Sequence, residues 1–256
     1  MRLTIVHTSD LHGGMDERRA RKLQALSADA DLYLDSGDVV RFGNVAVPVA
    51  PDPTWRWINL AGCFAGVPGN REFHVLSRIF RKKLQGCRHL LLAANLHWNG
   101  RPRKLLLSQE GLRYKGKRLR ILRSHRDSPL PAAVVWNGVG VLGLMVPMVT
   151  SRMLARRVSA FWHAPPEEVA EQWVRLLREE CEVIIALCHL GLPQERKLAS
   201  TVPGIHIILG GHTHEVLPQP IQVGETWIAH SGSHGHYAGL YQWEHGRLMG
   251  EIVSLE

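Results

Sequence analysis

Residues 3–14 read LTIVHTSDLHGG. The run Leu3–Val6 is apolar and β-branched enough for a short buried strand. Within a few residues it gives way to Asp10 and His12, with Gly13 directly behind them. In open α/β sheets, ligands gather beyond the carboxyl ends of the strands. A strand that delivers an acid and an imidazole into a glycine-containing loop is therefore a way to build a site. A lone Asp-x-His carries little weight, because chance supplies many.

The same arrangement recurs four times. Leu32–Leu34 leads to Asp38 in DSGD (35–38), and Phe64–Val67 leads to Asn70 in PGNRE (68–72). Val183–Leu187 leads to His189 in CHLG (188–191), and Ile205–Leu209 leads to His212 and His214 in GGHTH (210–214). Gly-Asp and Gly-Asn are common turn dipeptides. Five apolar runs that each end in a metal-capable residue are a different matter.

Further strands are expected at His89–Ala93, Val139–Val146 and Met249–Leu255. Helical patterns cover Asp16–Ser27, Glu72–Leu84 and Pro166–Glu180. The last opens with proline, Glu167 and Glu168, which suit a helix start. It places Val169, Trp173, Leu176 and Leu177 on one face, read as a core stripe. Strands alternating with helices predict an α/β layered fold. No Gly, Ser or Pro linker divides the chain, and the Pro-rich stretch Ala46–Thr54 reads as a surface loop. Residues 1–256 are expected to form one domain.

At 256 residues and 45% hydrophobic, the chain can bury a core of ordinary size. A formal net charge of +8 favours anionic partners such as phosphate esters or nucleic acid. Cys63, Cys87, Cys181 and Cys188 form no C-x-x-C pair, which fits reduced thiols in a cytoplasmic protein. No signal core opens the chain and no apolar stretch is long enough for a membrane helix, so no membrane partner is expected.

Imidazole, carboxylate and amide oxygen together suit borderline divalent metals: Mn, Fe, Zn, Co or Ni. No thiolate is in the set, which argues against a structural zinc site. Seven ligands exceed one ordinary site and suit two ions with a shared carboxylate.

With these motifs in hand, the sequence resembles the calcineurin-like metallophosphoesterase superfamily. Its TSDLHG opening, its GN-x-EF run and its GGHTH run are most similar to the branch of 5′-nucleotidases and cyclic-nucleotide phosphodiesterases. The resemblance extends from Leu3 to about Leu240. It implies a four-layer αββα sandwich of two mixed sheets. It implies one metal on Asp10, His12 and His214, a second on Asn70, His189 and His212, and Asp38 between them. It also implies hydrolysis of small phosphate esters by hydroxide attacking phosphorus in line.

Two departures matter. The family follows the asparagine with a histidine and, in the nucleotidase branch, an aspartate three residues later. Here Arg71 and His74 stand in those places. Arginine cannot give up a proton near neutrality, but its fork can clamp phosphate. Either Arg71 binds phosphate while His74 transfers the proton from a shared helix face, or the acid is lost and His74 is a surface residue. The chain also ends near where the metal domain should end, so the branch's C-terminal nucleoside-binding domain is expected to be absent.

Weaker signals remain. The segment 101–126 is rich in Arg and Lys, with Lys115-Gly116-Lys117 as a possible hairpin tip; it reads as a solvated face or as a rim for polyanions. His230, His234 and His236 cluster in a stretch similar to a family loop near the metal edge, and Asn95 reads as structural. Two rival functions stay open: a nuclease of the same superfamily, and an inactive metal-bound binding module for which Arg71 is the only support.

Overall fold

The computed structural model describes residues 1–100, 113–125 and 128–256. In chain order its strands are β1 (Leu3–Thr8), β2 (Leu32–Asp35), β3 (Ala65–Gly66), β4 (Leu90–Leu91), β5 (Leu96–Trp98), β6 (Arg113–Tyr114), β7 (Lys117–Arg118), β8 (Arg120–Leu122), β9 (Ala133–Trp136), β10 (Val139–Met145), β11 (Phe161–His163), β12 (Val183–His189), β13 (Ile207–Gly210), β14 (Ile221–Val223), β15 (Thr226–His230), β16 (Tyr237–Glu244) and β17 (Arg247–Ser254). The helices are α1 (Glu17–Asp29), α2 (Thr54–Leu60), α3 (Ser77–Lys83), α4 (Pro166–Leu177) and α5 (Leu192–Thr201).

One sheet runs β17-β16-β1-β2-β3-β4 and the other β14-β15-β13-β12-β10-β9-β8. Strands β1 to β4 are mutually parallel, with β16 antiparallel to β1. In the second sheet β10, β12, β13 and β15 are parallel, flanked by antiparallel β9 and β14. All five ligand-bearing runs therefore end their parallel strands at one edge.

Strand β12 shows how the layers close. Successive side chains of a strand point to opposite faces. Val183, Ile185 and Leu187 join the core shared with Ile5, Leu32 and Leu34 of the first sheet. Ile184, Ala186 and Cys188 join a second core with Val169, Trp173 and Leu177 of α4 and Leu198 of α5. Ala20 and Leu23 of α1, with Trp55 and Ile58 of α2, cover the first sheet. The result is the four-layer αββα sandwich of two mixed sheets that the sequence predicts.

Several boundaries differ from the expected ones. Helix α4 stops at Leu177, and its buried stripe is Val169, Ala170, Trp173, Val174 and Leu177, while Leu176 is exposed. Helix α3 begins at Ser77, five residues after the expected Glu72. The cause is Glu72 itself, whose side chain turns inward to bind backbone amides and holds 69–76 as a turn. Helix α5 was not expected, although Pro193 in its first turn was a readable start signal. Asn95 is structural: its amide donates to the Met145 carbonyl (2.8 Å) and accepts from the Met145 N–H (2.9 Å).

Most of the basic segment, 101–112 and 126–127, lies outside the described residues. The described part forms the β6–β7 hairpin. Lys115 at its tip donates to carbonyls of Ser27 and Ala28 at the end of α1, so the hairpin sits at the opposite edge from the ligand-bearing loops. Among the described residues no helix is long and apolar enough to cross a membrane.

Candidate metal centre

The seven residues converge. His12 Nε2 stands 3.3 Å from Asp38 Oδ2 and 3.7 Å from Asp10 Oδ1, and His214 Nε2 is 3.5 Å from the same Asp10 oxygen. On the other side, His189 Nε2 is 3.6 Å from Asp38 Oδ1 and 3.1 Å from Asn70 Oδ1. His212 Nδ1 lies 2.9 Å from the same amide oxygen. One oxygen of Asp38 thus faces His12 and the other faces His189, the attitude of a bridging carboxylate.

The loops that carry these groups are unusual. Asp10, His12, Asp38, His212 and His214 all have positive φ, between 48° and 80°. Non-glycine residues rarely adopt this left-handed region, and Asp and His are among those that tolerate it. The DSGD and PGN turns also touch at their glycines. A Cβ on Gly37 would come within 2.5 Å of the Val67 carbonyl, and one on Gly69 would overlap the Asp38 carboxylate.

Hydrogen bonds aim the lone pairs. The Ser36 carbonyl can only accept, so His189 carries its proton on Nδ1 and donates it there (2.7 Å). Its Nε2 is then the ring atom that points at the Asn70 and Asp38 oxygens. His12 Nε2 is buried without a hydrogen-bond partner among the described residues. Imidazole nitrogens that converge on carboxylate and amide oxygens describe a site that favours positive charge, whether of a proton or of a metal ion. The electrostatics agree. Burial opposes a charge on His12, but the close carboxylates of Asp10 and Asp38 lift its pKa to about 9. Burial would raise Asp38, yet the His12 ring and the neighbouring His189 hold it below the usual carboxylate range. Asp10, His12 and His214 form one cluster with ligand atoms within 4.8 Å of one another, and Asp10, Asp38 and His189 form another. The donor set fits two divalent ions.

Arg71 borders this cluster. Its backbone N–H donates to Asp38 Oδ1 (2.7 Å), its Nη1 donates to the Arg41 carbonyl (3.1 Å), and its Nε lies 3.9 Å from Asp38 Oδ2. His74 does not share a helix face with it. Its Nδ1 accepts from the Leu76 N–H at 3.0 Å, and burial beside Lys83 lowers its pKa. No contact among the described residues joins His74 to the cluster.

Sequence reading undervalued four residues. His234 is exposed, with its ring 4.9 Å from that of His12 and 5.6 Å from that of His214. Its Nδ1 meets the Ser233 hydroxyl at 2.9 Å, which leaves Nε2 free. Buried Glu72 accepts from the N–H groups of Asp38 (3.0 Å), Val40 (2.9 Å) and Gly69 (2.8 Å). Its burial, reinforced by the Asp38 charge, raises its pKa to about 7. Buried Glu195 pairs with His230 beneath Gly210, where a Cβ would overlap both. His236 instead pairs with Glu256 (2.7 Å) away from the cluster. Only the His cluster left a trace in the sequence; the inward turns of Glu72 and Glu195 left none.

The model of the calcineurin-like phosphoesterase family matches residues 3–216. The trifunctional nucleotide phosphoesterase protein YfkN of Bacillus subtilis is 25% identical over 261 residues, covering 93% of this chain and 18% of that protein. Protein UshA of Yersinia enterocolitica is 22% identical over 311 residues, covering 99% of this chain and 51% of its own. Among solved structures, the 5′-nucleotidase precursor from Thermus thermophilus superposes with a TM-score of 0.72 at 22% identity, over 99% of this chain and 54% of that one. The chain thus spans about half the length or less of these relatives.

Proposed function

Because this chain belongs to the calcineurin-like phosphoesterase family, we propose that it is a phosphoester hydrolase working with two divalent metal ions, drawn from Mn, Fe, Zn, Ni or Co, on small nucleotide-like phosphate esters. The observation that carries this reading is the convergence of seven metal-capable side chains on one cluster. His12 Nε2 has no hydrogen-bond partner among the described residues, and His189 Nε2 faces the Asn70 and Asp38 oxygens.

In this reading Asp10, His12 and His214 would hold one ion and Asn70, His189 and His212 the other, with Asp38 available to both. Such ions supply Lewis acidity, neutralising phosphoryl charge and making hydroxide available near neutral pH. The chain's own residues do the rest. The Ser36 carbonyl orients the His189 ring, and Asp38 turns one oxygen to His12 and the other to His189. Arg71, held by Asp38 and the Arg41 carbonyl, turns its remaining N–H groups to the phosphate oxygens. His234 offers Nε2 to the oxygen of the leaving group. Its position at the mouth, beside His12 and His214, favours it over His74 for that contact.

The first test uses metal-stripped protein with bis-p-nitrophenyl phosphate and p-nitrophenyl phosphate, adding back Mn, Ni, Co, Zn and Mg in turn. Metal-dependent turnover is expected, and the diester-to-monoester ratio narrows the substrate class. Two tightly bound ions without turnover would instead point to a binding module. For the nuclease reading, gel assays on DNA and RNA decide; the described part of the basic segment lies at the far edge and does not line the cluster.

A second measurement separates the two histidines. His234→Ala should lower kcat/KM for alkyl phosphate esters by about 10²-fold, the usual cost of one removed transition-state donor. Aryl esters, whose leaving groups need less help, should suffer less. His74→Ala should leave both nearly unchanged. The reverse pattern would return the role to His74.

A further inference from the structure

An amide is a useful metal ligand only through its oxygen, and the two ends of an Asn side chain differ little in shape. Something must choose between them. Asn70 Nδ2 donates to Asn44 Oδ1 at 3.0 Å, which directs Oδ1 towards His189 and His212. Asn44 lies on a separate loop, 26 residues earlier in the chain, and that loop needs an anchor of its own.

Lys83 provides it. The side chain rises from the last turn of α3 and is buried, at 1% exposure. Its ammonium donates to the carbonyls of Gly43 (2.9 Å), Asn44 (2.9 Å) and Arg71 (2.7 Å). An ammonium has three N–H groups, and these three carbonyls are its near partners, with that of Phe73 farther off at 3.5 Å. No salt bridge joins it to a carboxylate among the described residues, and burial lowers its pKa to about 8. A buried charge is costly to keep. This one ties the Gly43–Asn44 loop to the turn that carries Asn70 and Arg71. Glu72 acts on adjoining residues by taking the N–H groups of Asp38, Val40 and Gly69. The two charged residues thus serve opposite halves of the peptide unit.

We infer that Asn44 and Lys83 are positioning residues of the metal centre, holding the Asn70 amide so that its oxygen, and not its nitrogen, faces His189 and His212. The inference rests on the proposed role of Asn70 as a ligand. It concerns one of the two sites only, because the hydrogen bonds of Asn44 and Lys83 run to Asn70 and its neighbouring loops, and not to Asp10, His12 or His214.

The test is a calorimetric titration of metal-stripped protein with Co(II), read together with its visible absorption spectrum. Wild type is expected to bind two ions. Asn44→Ala should leave one site unchanged and weaken the other by about 10–100-fold, as loss of a partner that orients a ligand typically does. The Co(II) spectrum of that site should change with it. Asn44→Asp, which keeps an acceptor oxygen, should restore most of the affinity. Lys83→Met should give the same one-sided loss. Should that variant fail to fold, the exposed Asn44 still decides the matter. Wild-type binding of both ions by Asn44→Ala, or equal weakening of both sites, overturns the inference. Fewer than two ions on wild type overturns the metal-centre reading itself, before any variant is made.

Discussion

Asp38→Asn is expected to lower kcat/KM on bis-p-nitrophenyl phosphate by roughly 10³-fold while leaving the melting temperature almost unchanged. Removing one preorganised charge-stabilising group from a hydrolytic site typically costs about 10²–10³-fold, and Asp38 stands on both halves of the cluster. Its Oδ2 faces His12 and its Oδ1 faces His189. An amide of the same shape keeps only one oxygen and presents NH₂ to the other half, where a donor repels a cation. The charge shared between two ions is lost as well. The fold has less to lose, because an amide oxygen can still accept the Arg71 N–H now bound to Oδ1. Metal content measured beside the kinetics should fall below two ions per chain. Turnover within a few-fold of wild type would mean that Asp38 is not the shared ligand.

Glu72→Ala should act on the fold. Three backbone N–H groups, those of Asp38, Val40 and Gly69, end on this one buried carboxylate. Truncation orphans all three, and an unsatisfied buried polar group costs about 1–3 kcal/mol. Over three groups the loss is roughly 3–9 kcal/mol, set against a total stability of about 5–15 kcal/mol for an ordinary domain. Chemical denaturation should show the midpoint falling steeply, and proteolysis should open the 38–44 loop first. Glu72→Gln keeps one acceptor oxygen and should fall between the two. A midpoint unmoved by Glu72→Ala would show that water replaces the carboxylate at little cost.

Much of this was readable before any coordinate. Asp10, Asp38, Asn70, His189 and His212 each follow an apolar run, and parallel strands must deliver such residues to one edge. The two faces of β12 were likewise implicit in its unbroken apolar run. What the sequence hid depends on proximity across the chain. Asn44 meets Asn70 over 26 residues, and the N–H of His234 donates to the carbonyl of Asp10 from the far end of the chain. Glu72 and Lys83 look like surface charges in any local window, yet both turn inward. Because Glu72 turns inward, the expected helix start at that residue gave way to Ser77, and the expected pairing of Arg71 with His74 lost its shared face. Helical periodicity cannot register a side chain that is busy capping another loop.

The left-handed backbone at five of the seven clustered residues has a consequence for how such a chain changes over generations. A residue with a Cβ gives up as much as about 1–2 kcal/mol in that conformation, and Asp10, His12, Asp38, His212 and His214 all adopt it. Glycine would relieve the strain at each of them, although at Asp10 and Asp38 it would also remove the carboxylates that accept the His212 and Arg71 N–H groups. A lineage that lost the need for these side chains should show it first at the histidine-bearing turns, as a drift towards glycine.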